Sequence, residues 1–183
     1  MIAPWKVKES RTIVDRRWLR VHEQRIELPH GGEIDEFHLL EGPSWASVLA
    51  VTDEGRVALV RQYRHGVGGP SLELPAGVID EGETPEHAAR RELREETGHE
   101  AERWEPLIAV NPEPARHTTR AHFFVALGAR RVSAQAMDPS ENIEVVMLDG
   151  PQLMAAIERG EMHHGVHVGA VLLAARRGFL SLG

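Results

Sequence analysis

Apolar and polar positions alternate near period two over Trp5 to Val14, Trp18 to Leu28 and Ile34 to Leu40, which predicts three short strands. His30-Gly31-Gly32 is a turn between the last two. Glu41-Gly42-Pro43-Ser44 then punctuates the chain. We therefore expect an N-terminal β region over residues 1–42 and a main domain over 43–183. Ala46 to Val51 and Arg56 to Val60 read as two apolar strands joined at Asp53-Glu54-Gly55, a strong hairpin signal. The Gly- and Pro-rich stretch from His65 to Gly82 excludes a long helix there. Thr84-Pro85 offers an N-cap and a proline at the first helical position, and Gly98 a natural stop, so one helix is expected between them. Strands resume at Pro106 to Val110, His122 to Leu127 and Ile143 to Leu148. Pro151 to Arg159 and Gly165 to Arg177 read as helices, the second with Val168, Val171, Leu172 and Ala175 on one face. The resulting class is α+β.

Composition narrows the function classes. A chain of 183 residues with 42% hydrophobic and 27% charged positions is ordinary for a globular domain. Lys and Arg number 21 against 28 Asp and Glu, a net charge of −7, so binding to a nucleic-acid backbone is not expected. Cysteine is absent, which removes disulfides, thiolate metal sites and Cys nucleophiles. No apolar run approaches the roughly 18 residues of a membrane span, and the start reaches Lys6 too soon for a signal peptide. The expectation is a soluble cytoplasmic protein with no membrane partner.

The chemistry concentrates in the central helix. There Glu92 and Glu96 are four apart and Glu92 and Glu95 three apart, so like charges crowd one side. A hard divalent cation would turn that repulsion into ligation. Charge spacing alone equally describes a solvated face, since Arg90, Arg91 and Arg94 could neutralise it. Histidines are scattered, and neither His163-His164 nor His117 with His122 has a zinc-like spacing backed by other ligands.

The order of residues goes further than their charge. Gly77, Glu83, Arg91, Glu92, Leu93, Glu95, Glu96 and Gly98 fall into the pattern G-x5-E-x7-R-E-U-x-E-E-x-G-U, and the segment resembles the Nudix box. A chance match at seven fixed positions in a chain of this length is roughly one in a million or rarer. The final aliphatic position holds His99, a departure that bears on packing behind the helix end. The resemblance implies a mixed sheet sandwiched between helices, an α/β/α arrangement. It also implies hydrolysis of a nucleoside diphosphate linked to another group, with Mg²⁺ as the cofactor and Mn²⁺ as the alternative. Carried over by position, Glu92 and Glu96 are metal ligands, Glu95 is a ligand or acts at a second metal, and Arg91 orients the glutamates.

Val60-Arg61-Gln62-Tyr63-Arg64 followed by Leu72-Glu73-Leu74-Pro75-Ala76-Gly77 is similar to the ADP-ribose pyrophosphatase branch. That likeness implies a metal bound by the Ala76 carbonyl and a substrate diphosphate contacted by Arg64. Pro114, sixteen residues beyond Gly98, is a further mark of the branch, with Arg116 nearby. The general base would lie on a loop before a strand, within Asp138-Pro139-Ser140-Glu141-Asn142-Ile143-Glu144, with Glu141 chosen over Glu144. Trp18 and Trp45 are candidate platforms for the base, the N-terminal region crossing to the partner of a homodimer. The implied substrate is ADP-ribose or a related nucleoside diphosphate sugar. The alternatives are a GDP-mannose-type hydrolase and, from another class, a non-catalytic ADP-ribose sensor.

Overall fold

The computed structural model describes residues 2–137 and 142–183. The chain divides into two compact units, Met1–Ser44 with Val110–Arg120, and Trp45–Ala109 with Ala121–Gly183. The first is built on an antiparallel meander of β1 (Lys6–Arg16), β2 (Leu19–Glu27) and β3 (Glu33–Glu41). At the β2–β3 turn the Leu28 N–H donates to the Gly32 carbonyl at 3.0 Å, and the Gly31 N–H to the Leu28 carbonyl at 3.1 Å. Gly31 and Gly32 both take positive φ, which a side chain would resist. Segment Val110–Arg120 is tied to β3: the Leu40 N–H donates to the Arg116 carbonyl and the Thr118 N–H to the Leu40 carbonyl.

The second unit holds a mixed sheet. Its strands are β4 (Trp45–Val51), β5 (Val57–Arg64), β6 (Gly69–Glu73), β7 (Ala76–Val78), β9 (Arg103–Val110), β10 (Ala121–Leu127) and β12 (Ile143–Leu148). The order is β12-β5-β4-β10-β9, with β6 beside β5 and β7 beside β4. β10 runs parallel to β4, from Ala121 opposite Trp45 to Leu127 opposite Val51. β8 (His99–Glu100) and β11 (Arg130–Arg131) form a separate two-residue pair. Among the described residues three helices complete the unit, α1 (Pro85–Thr97), α2 (Gly150–Glu158) and α3 (Gly165–Arg176). Among the described residues no helix is long and apolar enough to cross a membrane.

Alternation along the strands builds two layers of packing. Ala46, Val48 and Ala50 of β4, Ala58 of β5 and Phe124 and Ala126 of β10 face α1, which meets them with Ala88, Ala89 and Leu93. The alternate positions Trp45 and Phe123 point to the other face, where both rings touch His167 of α3. The small Ala side chains let α1 approach the sheet closely. The Thr84 side chain caps the helix by accepting from the His87 N–H at 3.3 Å. His99, at the irregular end of the box, is buried and bonds back to Thr97 through Nδ1.

Two features differ from the pattern reading. β6 and β7 lie in the Gly- and Pro-rich stretch, where no strand was expected; Pro70 is tolerated because, among the described residues, β6 pairs only with β5. The buried face of α3 is His167, Ala170, Val171 and Ala174, not the predicted Val168, Val171, Leu172 and Ala175; Leu172 is exposed. The helix is apolar nearly all round, so its stripe is ambiguous, and the polar His167 disguises the inner face.

Gly98 ends α1 at φ 72°, and a methyl group there would overlap the Ser133 carbonyl. Gly98→Ala should therefore destabilise the fold by about 2 kcal/mol or more in urea unfolding, from left-handed strain plus the clash. A loss below about 0.5 kcal/mol would contradict this account of the helix end.

Candidate active site

The inward face of α1 carries Ala88, Ala89, Glu92, Leu93 and Glu96. Two carboxylates thus sit where an amphipathic helix ordinarily places apolar groups, 7% and 3% exposed respectively. Burying an ionised carboxylate without partners costs several kcal/mol, so the surroundings must compensate. Glu96 accepts a hydrogen bond from the Ala76 N–H at 3.0 Å. Glu92 lies directly against Gly77, where any Cβ would overlap its carboxylate. That glycine is needed for space, because its backbone has no positive φ.

Arg91 gathers the remaining acids. Its Nε and Nη2 grip both oxygens of Glu83 at 3.1 and 3.0 Å. Its Nη1 donates to Glu92 at 2.6 Å and to Glu95 at 3.2 Å, and Nη2 also reaches the Val78 carbonyl at 3.0 Å. Five bonds match the five N–H groups of a guanidinium. The bond from Arg91 holds the Glu83 carboxyl below its ordinary value of 4.5. The same bond, strengthened by Glu92 and Glu95 against the opposing effect of burial, raises Arg91 well above its usual range.

A third buried carboxylate lies nearby in sequence. Glu73, at the end of β6, is 2% exposed. It accepts from Arg64 Nε at 2.9 Å and Nη2 at 2.6 Å, a bidentate pair across the β5–β6 hairpin. Burial acts to raise the Glu73 carboxyl, but the Arg64 bonds and charge outweigh it and keep it below the ordinary value. The plane of the Arg64 guanidinium is thereby fixed.

The expected site residues fall into groups. Ala76, Arg91, Glu92, Glu95 and Glu96 converge where β7 meets α1, and Arg64 stands on the neighbouring β5. Trp45 packs in an aromatic group with Phe123, His164 and His167 at centroid separations of 5.3–5.5 Å. Trp18 lies in the other unit, at the β1–β2 turn, 58% exposed with the Arg17 guanidinium 4.3 Å above its ring. Pro114 and Arg116 belong to a turn of that same unit, where Arg116 approaches Glu113 at 3.6 Å. Glu141 is outside the described residues. Glu144 is exposed on β12 and receives a bond from Arg61 at 3.2 Å. Sequence reasoning passed over Glu73, whose signal was a charge between Leu72 and Leu74, and the Val78 carbonyl, which leaves no trace in residue type.

Residues 43–176 match the NUDIX domain. The chain belongs to the Nudix family. Residues 5–40 match the nucleoside diphosphate sugar hydrolase N-terminal domain. Among its relatives is an ADP-ribose pyrophosphatase from Bacillus subtilis (strain 168), 31% identical over 78% of this chain and 77% of the relative. Another is a methanol dehydrogenase activator from Bacillus methanolicus, 29% identical over 91% and 90%. The crystal structure of an ADP compounds hydrolase superposes with a TM-score of 0.84 at 22% identity, covering 96% of this chain and 95% of that one, a likeness of fold.

Nudix hydrolases generally use a divalent metal, and the donors here suit one. Among the described residues no three His, Asp or Glu side chains converge as a ready cage. Glu92 and Glu96 nevertheless offer hard carboxylate oxygens on one helical face, and Gly77 leaves space beside the first of them.

Arg91→Lys tests the organising role of the guanidinium. A lysine brings the same charge but no planar fork, so it cannot hold Val78, Glu83, Glu92 and Glu95 together. Unfolding should show a loss on the order of 1–3 kcal/mol near pH 7. Because the Glu83 carboxyl is depressed, its stabilising contribution is present above its unfolded pKa and lost as pH falls through the lower folded value. The gap between wild type and variant should therefore narrow in acid; a gap independent of pH would separate Glu83 from this pair.

Proposed function

We propose that this Nudix hydrolase cleaves the diphosphate bond of ADP-ribose or a related nucleoside diphosphate sugar, with Mg²⁺, giving a nucleoside monophosphate and a sugar phosphate. The observation that carries the reading is the pair Glu92 and Glu96, turned inward from α1 onto β7 at Ala76 and Gly77. A helix that buries two carboxylates at considerable cost has a use for their charge. The similarity of residues 5–40 to the nucleoside diphosphate sugar hydrolase N-terminal domain supports the substrate class.

In this reading Glu92, Glu95, Glu96 and the Ala76 carbonyl hold the metal, and Arg91 fixes the glutamates. The metal, when bound, neutralises phosphate oxygens and makes the attacking water more acidic. Arg64, held by Glu73, presents a planar cation of the shape that suits two phosphate oxygens. Glu141 takes a proton from the attacking water, whose oxygen joins one phosphorus while the other phosphate leaves with the bridging oxygen. Trp18 gives the base a stacking surface; Trp45 is assigned with it, its ring already backed by Phe123 and the two histidines. The N-terminal β region over residues 1–42, too small to stand alone, is assigned to a cytoplasmic homodimer, with residues 43–183 as the catalytic domain. Pro114 and Arg116 are assigned to substrate binding.

Nucleotide sugars incubated with Mg²⁺, followed by phosphate release after a phosphatase step, test the substrate class. ADP-ribose or another nucleoside diphosphate sugar should be cut; a panel with no turnover sinks the reading. Glu92→Gln and Glu96→Gln should each lower turnover by at least about a hundredfold, with smaller effects on substrate binding. Near-normal turnover at saturating Mg²⁺ would remove them as ligands.

The two loop and strand acids separate by a second comparison. Glu141→Gln should slow turnover strongly while leaving substrate Kd nearly unchanged. Glu144→Gln, which loses only an exposed pair with Arg61, should do much less. The reverse ranking assigns the base to Glu144.

A further inference from the structure

The turn that leads from β6 into the box is held from four directions. Glu73 is gripped by Arg64 of β5. The Leu74 N–H donates to Nδ1 of His167, on α3, at 3.2 Å. The Pro75 carbonyl accepts from the Val48 N–H of β4 at 3.1 Å. The Ala76 N–H donates to Glu96 of α1 at 3.0 Å. Three of these ties come from the sheet or the box helix. The fourth comes from a helix some seventy residues beyond the box, and its anchoring atom is a histidine nitrogen.

His167 is an expensive choice for that position. It is 1% exposed on the inner face of α3, among Ala170, Val171 and Ala174. Since Nδ1 accepts from Leu74, the ring proton sits on Nε2, and that atom is buried with no hydrogen-bond partner among the described residues. An orphaned buried donor is costly; a leucine would remove this one but leave the buried Leu74 N–H without its acceptor. The ring cannot escape by turning, because His164 stacks on it at 4.4 Å and 4° while Trp45 and Phe123 cover it at 5.5 and 5.7 Å. Burial, with His164 beside it, lowers its pKa to about 3 despite the nearby Glu73 carboxylate, so Nδ1 remains an acceptor across the working pH range. What the histidine supplies, and a leucine would not, is one acceptor at a fixed point opposite Leu74.

We infer that His167 is a positioning residue for the reaction, setting the backbone between Glu73 and Ala76 so that the Arg64 clamp and the Ala76 carbonyl stand at a fixed spacing. The inference rests on the function proposed above, because it is this turn that joins the diphosphate clamp to the metal ligands. Partners bonded directly to a metal ligand commonly contribute tenfold to a hundredfold to activity or metal affinity; His167 acts one step further out, through the backbone from Leu74 to Ala76.

The test compares His167→Leu, His167→Asn and His167→Gln in the full-length chain. Steady-state kinetics on the best nucleotide sugar are read together with Mn²⁺ binding in the absence of substrate, hydrogen exchange at the Leu74 amide and thermal unfolding. His167→Leu should keep a Tm near that of wild type, since it removes the orphaned Nε2 donor but leaves the buried Leu74 N–H without its acceptor, while Leu74 exchanges faster. Its kcat should fall about tenfold or more and its Mn²⁺ binding weaken. Asn places an oxygen close to where Nδ1 stood, so His167→Asn should recover kcat to within about threefold of wild type; Gln carries its oxygen one bond further and should not. If His167→Leu keeps kcat and Mn²⁺ affinity within twofold, or if Leu and Asn lose both equally in step with Tm, the positioning role is overturned. If His167→Leu does not fold, the Asn–Gln contrast decides alone, and equal activities overturn the role. A wild-type chain that cuts no nucleotide sugar defeats the proposed function, whereas an active wild type beside an unaffected His167→Leu defeats only this inference.

Discussion

The cost of keeping Glu92 and Glu96 out of water governs the second unit. Close packing of α1 on the sheet needs small residues, and Ala88 and Ala89 provide them, but the same closeness desolvates the two acids one and two turns further on. The neighbourhood answers with oriented dipoles and one cation. The Ala76 N–H faces Glu96, Gly77 gives up its side chain to Glu92, and Arg91 spreads a single charge over Glu83, Glu92 and Glu95. None of these is strong alone. Together they turn a destabilising stripe into a preorganised set of oxygens, at the expense of mutational freedom for every residue in contact with it.

The first unit follows a different logic. Its meander is lined with crossing ion pairs, Lys8 to Glu27, Arg11 to Glu23 and Arg25 to both Glu9 and Glu33. Such exposed pairs contribute little to stability. Their arrangement matters more for register, since a slip by one residue would set Glu9 and Arg11 opposite Gln24, Ile26 or His22 in place of Arg25 and Glu23. Charged faces also discourage an edge strand as long as β1 from recruiting arbitrary partners.

Much of this was legible in the residues. The hairpin between β4 and β5 followed from Asp53-Glu54-Gly55, α1 from its Thr84 cap and Gly98 stop, and the acid cluster from the order of Gly77 to Gly98. What could not be read were features that depend on contacts distant in sequence. β6 and β7 are short strands in a Gly- and Pro-rich stretch, defined by pairing with β5 and β4 rather than by any period of their own. The inner face of α3 was misassigned because an apolar helix offers several equivalent stripes, and the true one contained a histidine. Glu73 and His167 share a signature for other chains: a polar residue inside an apolar run, which composition treats as noise and burial exposes as a commitment.

The inward carboxylates also tie stability to the medium. In the unfolded chain Glu92 and Glu96 are hydrated and lose their fixed spacing, so a cation that they hold binds the native state almost alone. At a hundred times its Kd such an ion adds about 2.7 kcal/mol to the free energy of unfolding, a sizeable share of the 5–15 kcal/mol typical of a domain. If the two glutamates hold the metal as proposed, the melting point rises with free divalent cation, and a chelator returns it to that of the metal-free chain.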